Sequence, residues 1–438
     1  MREMKDSGVA WIGEIPAQWD IKTIRNLLIE RNEKNRELSE KTILSLSAKS
    51  GVTLYSSENH SGNKPREDLS DYKIVRENDI VVNSMNILSG SVGLSKYTGV
   101  VSPVYYIYYP REKNDVQYLH FIFQCFEFQR SLWGLGNGIL IKETESGSLN
   151  TIRMRIPSKK LSLQEFPSPP IDEQQKIAAY LDCKCTQIDA LIINAQEQIE
   201  KLKSYKQSII TETVTKGINP DVEMKDSGVE WIGEIPVHWS IIRKLSYVTT
   251  EGISYGIVKL YDPDDENGVK VLRCSDVLEG YICTDNIRTV TKEVSQEYSR
   301  TILSGGEVLV NVRGSLGGCS IVPNDMAGYN IAREVAKISP DVSINNKYLM
   351  YYLLSHCFVD YRTRHLAGSV YIGLNIELLS SCPIPFPELF EQQQITDYLD
   401  RKCSQIDKLI ALKHQKTEKL QQYKKSLIYE YVTGKKEV

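Results

Sequence analysis

Nucleophilic or metal chemistry in this chain would have to come from nine cysteines and six histidines, and their spacing supports neither. Cys183 and Cys185 are the one close pair of thiols. On a helix, a C-x-C spacing turns two thiols about 200° apart, a poor start for a tetrahedral metal site. An odd cysteine count with irregular spacing predicts free thiols in a reducing compartment. His60, His120, His238, His356, His365 and His414 form no H-x-x-x-H pair. Pro220-Asp-Val-Glu-Met-Lys225 has the residue types of a nuclease centre. Its carboxylates are too close in sequence, however, and it reads as linker rather than paired strands. There is no G-x-x-x-x-G-K-S/T phosphate loop, no nucleophile elbow and no N/D-P-P-Y/F tetrapeptide; Ser168-Pro-Pro-Ile171 is not one. The expectation is a chain with no catalytic residue, metal or cofactor of its own.

If the chain binds nucleic acid instead, the candidates for contacting base edges are Arg, Lys, Asn, Ser and Tyr on glycine-rich loops. In the first half of the chain these are Lys49, Ser50, Lys64, Arg66, Asn83, Asn86 and Ser91. In the second half they are Tyr255, Lys259, Arg273, Arg313, Arg333, Arg364 and Tyr371. Tyrosine is abundant at 25 residues and can stack on bases, but Tyr105, Tyr106, Tyr108 and Tyr109 read as strand residues half facing a core. The net charge is −3, without the basic excess of many nucleic-acid binders. Outside the segments 171–217 and 391–438 the chain carries 37 basic and 42 acidic residues. Any DNA binding must therefore use local patches and a partner's basic surface.

The elements that position these residues are written twice. Residues 4–21, MKDSGVAWIGEIPAQWDI, match residues 224–241, MKDSGVEWIGEIPVHWSI, at 14 of 18 positions. Residues 173–215 match 391–433 at 24 of 43 positions. The offsets are 220 and 218, so one tandem duplication accounts for both. The blocks between, about 22–170 and 242–388, hardly resemble each other. A constant frame around dissimilar blocks suits a protein that reads two different targets in one geometry. The plainer reading is a pseudo-dimer that keeps a stable interface.

The second repeat is helical. Asp172 suits an N-cap, and Thr186-Gln-Ile-Asp189 and Ser404-Gln-Ile-Asp407 fit the capping-box pattern, so each arm is expected to restart near 186 and 404. The apolar stripe runs Ile188, Leu191, Ile192, Ala195, Ile199, Leu202, Tyr205 and Ile209. Its copy runs Ile406, Leu409, Ile410, Leu420, Tyr423 and Leu427, with polar Lys413, Lys416 and Thr417 between. These spacings mark one helical face and predict that the two helices pair as an antiparallel coiled coil. Gly217 and Gly434 sit where stops belong. A helix over 187–214 would be about 40 Å long, roughly twelve base pairs of duplex.

Both blocks read as mixed α/β. Asn78–Asn83 and Gly306–Asn311 look like equivalent buried strands, followed by Gly90-Ser-Val-Gly93 and Gly314-Ser-Leu-Gly317 turns. Val104–Tyr109, with Ile331–Ile338 as its counterpart, is strand-like, and amphipathic helices follow near 115–132 and 345–363. The expected class is α+β: two mixed α/β domains with pseudo-twofold symmetry, separated by two long helices. The boundaries are 1–170 and 218–388 for the domains, and 171–217 and 389–438 for the helices. No run approaches the ~20 apolar residues of a membrane span, and the N-terminus has no apolar signal core, so a cytoplasmic protein is expected.

The chain resembles the specificity subunit of type I restriction–modification systems over essentially its whole length. The resemblance rests on Asp6–Trp19 and its copy Asp226–Trp239, on Pro169-Pro-Ile-Asp-Glu-Gln-Gln175, on Ile177–Leu181 and on Gln187-Ile-Asp-Ala-Leu-Ile192, with their copies in the second half. One departure is Pro387-Glu-Leu-Phe-Glu391, which lacks the double proline. The resemblance implies that each block is a target-recognition domain for one half of a split, asymmetric site in double-stranded DNA. It implies that the helices set the gap and dock two methyltransferase subunits, which methylate adenine with S-adenosylmethionine. It also implies motor-nuclease subunits that use ATP and Mg. A coiled-coil adaptor holding two protein-binding modules is the alternative from another class.

Overall fold

The computed structural model describes residues 2–56, 64–138, 142–143, 149–150, 154–242, 244–258, 268–366 and 373–438. The chain divides into two compact units, one of residues 1–195 with 415–438 and one of residues 196–414. Both are mixed α/β. Two long helices, Ile171–Lys216 and Leu389–Val432, each give their first part to one unit and their second part to the other.

Each unit is organised by a four-stranded antiparallel sheet, and the strand order is the same in both. In the first unit the order is Leu28–Glu30, Tyr105–Pro110, Ile80–Asn83, Val92–Leu94. In the second it is Ser254–Tyr255, Val335–Ile338, Val308–Asn311, Cys319–Ile321. Ile80–Asn83 and Val308–Asn311 are buried throughout because they are inner strands with both faces covered. The counterpart of Tyr105–Pro110 is shorter than the sequence suggests. Asn330–Ile331 leaves that sheet and pairs in parallel with Val269–Leu272. Helices Val116–Gln124 and Asn346–Leu354 follow, capped by Asp115 and Asn345, whose side chains accept from backbone N–H groups of the first turn.

The repeated frame builds the same contacts twice. Met4–Asp6 pairs with Glu14–Pro16, and Met224–Asp226 pairs with Glu234–Pro236 in the same register. Trp19 is buried and donates its indole N–H to Glu173 at 2.8 Å. Trp239 does the same to Glu391 at 2.9 Å. Gln174 donates to the Pro169 carbonyl at 2.9 Å and accepts from the Asp115 N–H at 2.9 Å. Gln392 donates to the Pro387 carbonyl at 3.0 Å and accepts from the Asn345 N–H at 2.7 Å. The missing second proline therefore leaves the start of the second helix unchanged. Tyr118, fully buried, places its hydroxyl 2.9 Å from the Val432 carbonyl, and Tyr348 places its own 3.1 Å from the Val214 carbonyl. In each unit the block is thus tied to the start of one long helix and the end of the other.

Within each unit the helix segments run antiparallel, as the pairs Lys424–Asp189 and Lys206–Asp407 and the bond from Lys413 to Gln198 require. Two expectations are corrected. Both helices are continuous through Thr186 and Ser404, because Asp172, Thr186 and Ser404 sit at helical positions and the 3-4 apolar rhythm runs on past them. The buried stripe is also narrower than expected. Leu191, Tyr205, Leu409 and Tyr423 are about half exposed, at 48%, 55%, 48% and 54%. The inward positions keep a strict 3-4 alternation: Cys185, Ile188, Ile192, Ala195, Ile199, Leu202, Lys206 and Ile209 on one helix. On the other they are Cys403, Ile406, Ile410, Lys413, Thr417, Leu420, Lys424 and Leu427. Lys206 and Lys424 take the inward place beside Tyr205 and Tyr423, laying their stems along the seam and their ammonium groups on aspartates. Gly217 and Gly434 end the helices in the left-handed region, at φ +75° and +71°.

Candidate nucleic-acid interface

In the first unit, Lys49 and Ser50 are exposed at the tip of the hairpin between Leu44–Ser47 and Gly51–Leu54. This hairpin lies directly on the strand that follows Ser91: a Cβ on Gly93 would fall 2.8 Å from the Val52 nitrogen and 3.0 Å from the Gly51 Cα. Asn83, Asn86 and Ser91 form one closed loop, with Ser91 N–H donating to Asn86 O at 3.1 Å and Asn83 N–H to Ser91 O at 3.0 Å. Asn86 is exposed, whereas Asn83 and Ser91 are buried at 8% and 4%. Asn83 accepts from the Met85 N–H with its side-chain oxygen, which shapes the loop. Lys64 and Arg66 are exposed on a connecting segment, where the Arg66 N–H donates to the Tyr72 hydroxyl at 3.2 Å.

In the second unit, four candidates converge on the turn after Val308–Asn311. The Arg313 guanidinium lies over the Tyr255 ring, 5.5 Å from its centroid. Arg333 N–H donates to Ile257 O at 2.9 Å, and Glu334 O accepts from Val312 N–H at 2.8 Å, which joins the Arg333 segment to both. Arg273 lies on the adjoining turn. Its guanidinium is held by both oxygens of Asp276 at 3.1 Å and by the Asn286 carbonyl at 3.2 Å. Arg364 stands apart, paired with Glu230 at 2.8 Å. Lys259 and Tyr371 lie outside the described residues.

Asn311 is a position that the sequence did not single out. It is buried, and its amide nitrogen reaches the carbonyls of Cys274, Val277 and Ser315 at 2.9, 3.0 and 3.1 Å. It thereby locks the Arg273 turn to the Arg313 loop. The signal for it was present: Asn83 and Asn311 both end an inner strand ahead of a Gly-Ser-x-Gly turn.

The buried thiols are not activated. All nine cysteines are free. Cys183 is exposed while Cys185 is buried, and burial pushes the Cys185 thiol up to about 11. Burial likewise raises Cys125, Cys319 and Cys382 well above the ordinary thiol value, the opposite of an activated nucleophile. Among the described residues no group of three or more His, Cys, Asp or Glu side chains could hold a metal ion, and no helix is long and apolar enough to cross a membrane.

Residues 247–422, which include the whole Tyr255–Arg313–Arg333 cluster, match the family described as type I restriction modification DNA specificity domain. The chain is similar to type I specificity subunits. It is 26% identical over 263 residues to the type I restriction enzyme EcoBI specificity subunit of Escherichia coli, a match covering 58% of this chain and 54% of that one. To the MjaVIII specificity subunit of Methanocaldococcus jannaschii it is 25% identical over 367 residues, covering 83% of this chain and 80% of the relative. A solved chain from a study of complex assembly and conformational transition of the type I R-M system shares the fold, with a TM-score of 0.69 at 15% identity, over 95% of this chain and 98% of that one.

Proposed function

We propose that this chain is the DNA sequence-recognition subunit of a type I restriction–modification complex. Residues 1–170 and 218–388 are the two recognition domains, and 171–217 and 389–438 are the spacer helices. Each domain reads one half of a bipartite, asymmetric site, and the helices set the gap and dock two methyltransferase subunits. Adenine methylation with S-adenosylmethionine, and ATP- and Mg-dependent translocation and cleavage by motor-nuclease subunits, belong to those partners. The chain itself is non-catalytic and works in the cytoplasm, where foreign DNA arrives. The observation that carries this reading is the frame of Trp19–Glu173 and Trp239–Glu391, built twice around blocks that share a strand order but not their loop residues. Like frames demand a common attachment, and unlike loops demand different targets. Specificity then adds up from base contacts worth about 1–3 kcal/mol each.

The test is a gel shift of the chain with its methyltransferase subunits, at stated salt, on specific and scrambled duplexes. The expected result is a preference for one bipartite sequence of at least about a thousandfold. Equal affinity for all duplexes would contradict it and would favour a protein adaptor.

A further inference from the structure

The geometry points to Arg313 as the residue through which the second unit reads a guanine, with Tyr255 as its positioning residue. This rests on the recognition function proposed above. The candidate arginines of the second unit, three on turns and Arg364 in the helix His356–Leu366, differ in what their guanidinium groups have left to give. Arg273 is spent on Asp276 and Asn286, Arg364 on Glu230, and Arg333 has Glu334 at 3.7 Å. Arg313 has no carboxylate partner among the described residues, and its guanidinium lies over the Tyr255 ring, 5.5 Å from the centroid.

The first unit supplies the contrast. Arg31 also lies over a tyrosine, 4.6 Å from the Tyr109 centroid, but it is closed into a two-oxygen pair with Asp79 at 2.8 and 3.2 Å. That arginine is structural. Arg313 keeps the place over a tyrosine ring and lacks the acid, so its fork of donors has no carboxylate to bind among the described residues. A guanidinium held in one plane is the group that matches the O6 and N7 acceptors of guanine together.

The support beneath it is rigid. The Tyr255 hydroxyl donates to Leu374 O at 3.2 Å, which fixes the ring. Arg313 bridges to Gly373, where a Cβ would fall 3.1 Å from the Arg313 Cγ, so the backbone approaches its stem closely. Asn311 anchors the turn two residues earlier. Three independent elements therefore hold one side chain that itself holds no acid.

The full chain, purified with its methyltransferase subunits, selects from a randomised duplex pool that is then sequenced. Arg313→Ala is expected to lower the enrichment of guanine at one position of one half-site by about tenfold or more, leaving the other half-site and the gap unchanged. Arg313→Lys does not restore it, because an ammonium makes no planar two-point contact. Tyr255→Phe keeps the ring, loses the bond to Leu374 O and weakens the preference less than Tyr255→Ala, which relaxes the same position. The intact half-site in the same pool reports that the variant is folded. An unchanged guanine preference in Arg313→Ala, or a uniform loss across both half-sites as from a phosphate contact, overturns the assignment. A wild-type pool with no bipartite motif refutes the recognition function itself, and this assignment with it.

Discussion

Gly434 lies against Trp19 so closely that a Cβ on the glycine would fall 2.8 Å from the indole and 2.5 Å from the Pro16 ring. The last turn of the second helix is thus seated on the Trp-rich box through a residue that only glycine can be. The equivalent Gly217 has more room, with Trp239 at 3.3 Å. Both have positive φ, at about +71° and +75°. Gly434→Ala is expected to lose about 1–2 kcal/mol to backbone strain and more to overlap, and Gly217→Ala the strain alone. Hydrogen exchange, read unit by unit, should show the larger loss of protection in the first unit for Gly434→Ala. Equal effects would contradict the account.

Asn311→Ala removes a donor shared by three carbonyls and is expected to cost about 1–3 kcal/mol in the second unit. Asn311→Asp should be worse, since it sets a carboxylate against those oxygens. Urea unfolding of the second unit checks the order of the two variants.

The narrow seam makes a sharp distinction between neighbours. Ile188 is 5% exposed and Leu191 is 48% exposed. Ile188→Ala is expected to cost about 2–4 kcal/mol and Leu191→Ala less than about 0.5. Denaturant midpoints of the two variants settle which phase the helices use.

His120 is buried, its Nε2 3.2 Å from the Gln124 amide, and burial pushes its pKa from 6.5 down to about 4. The unfolded chain takes up this proton near pH 6.5 and the folded unit only near pH 4. Stability of the first unit therefore falls as pH drops through that window, by roughly 3 kcal/mol from this group. His120→Leu should flatten the dependence in a pH series of unfolding midpoints.

Much of this architecture was legible because the frame repeats: Trp19 and Trp239, Gly217 and Gly434, and the equivalent inner strands all declare themselves by identity or pattern. The seam was legible only in part. Leu191 and Ile192 are adjacent apolar residues, and sequence alone does not say that Lys206 rather than Tyr205 turns inward. The continuous helices were hidden by S/T-x-x-D patterns that cap a helix only where a helix begins. Among the reading candidates, the fate of Arg364 depends on Glu230, 134 residues away, which no local pattern shows. The Arg273–Asp276 pair is local and could have been read from its i,i+3 spacing.

The central claim is that two unlike units on one repeated frame read two unlike halves of a DNA site. The most direct measurement is the sequencing of modified adenines in DNA from cells carrying the chain with its methyltransferase partners. The account predicts one motif of two dissimilar short half-sites at a fixed gap. A single unbroken motif, a palindrome, or no modification motif at all would contradict it.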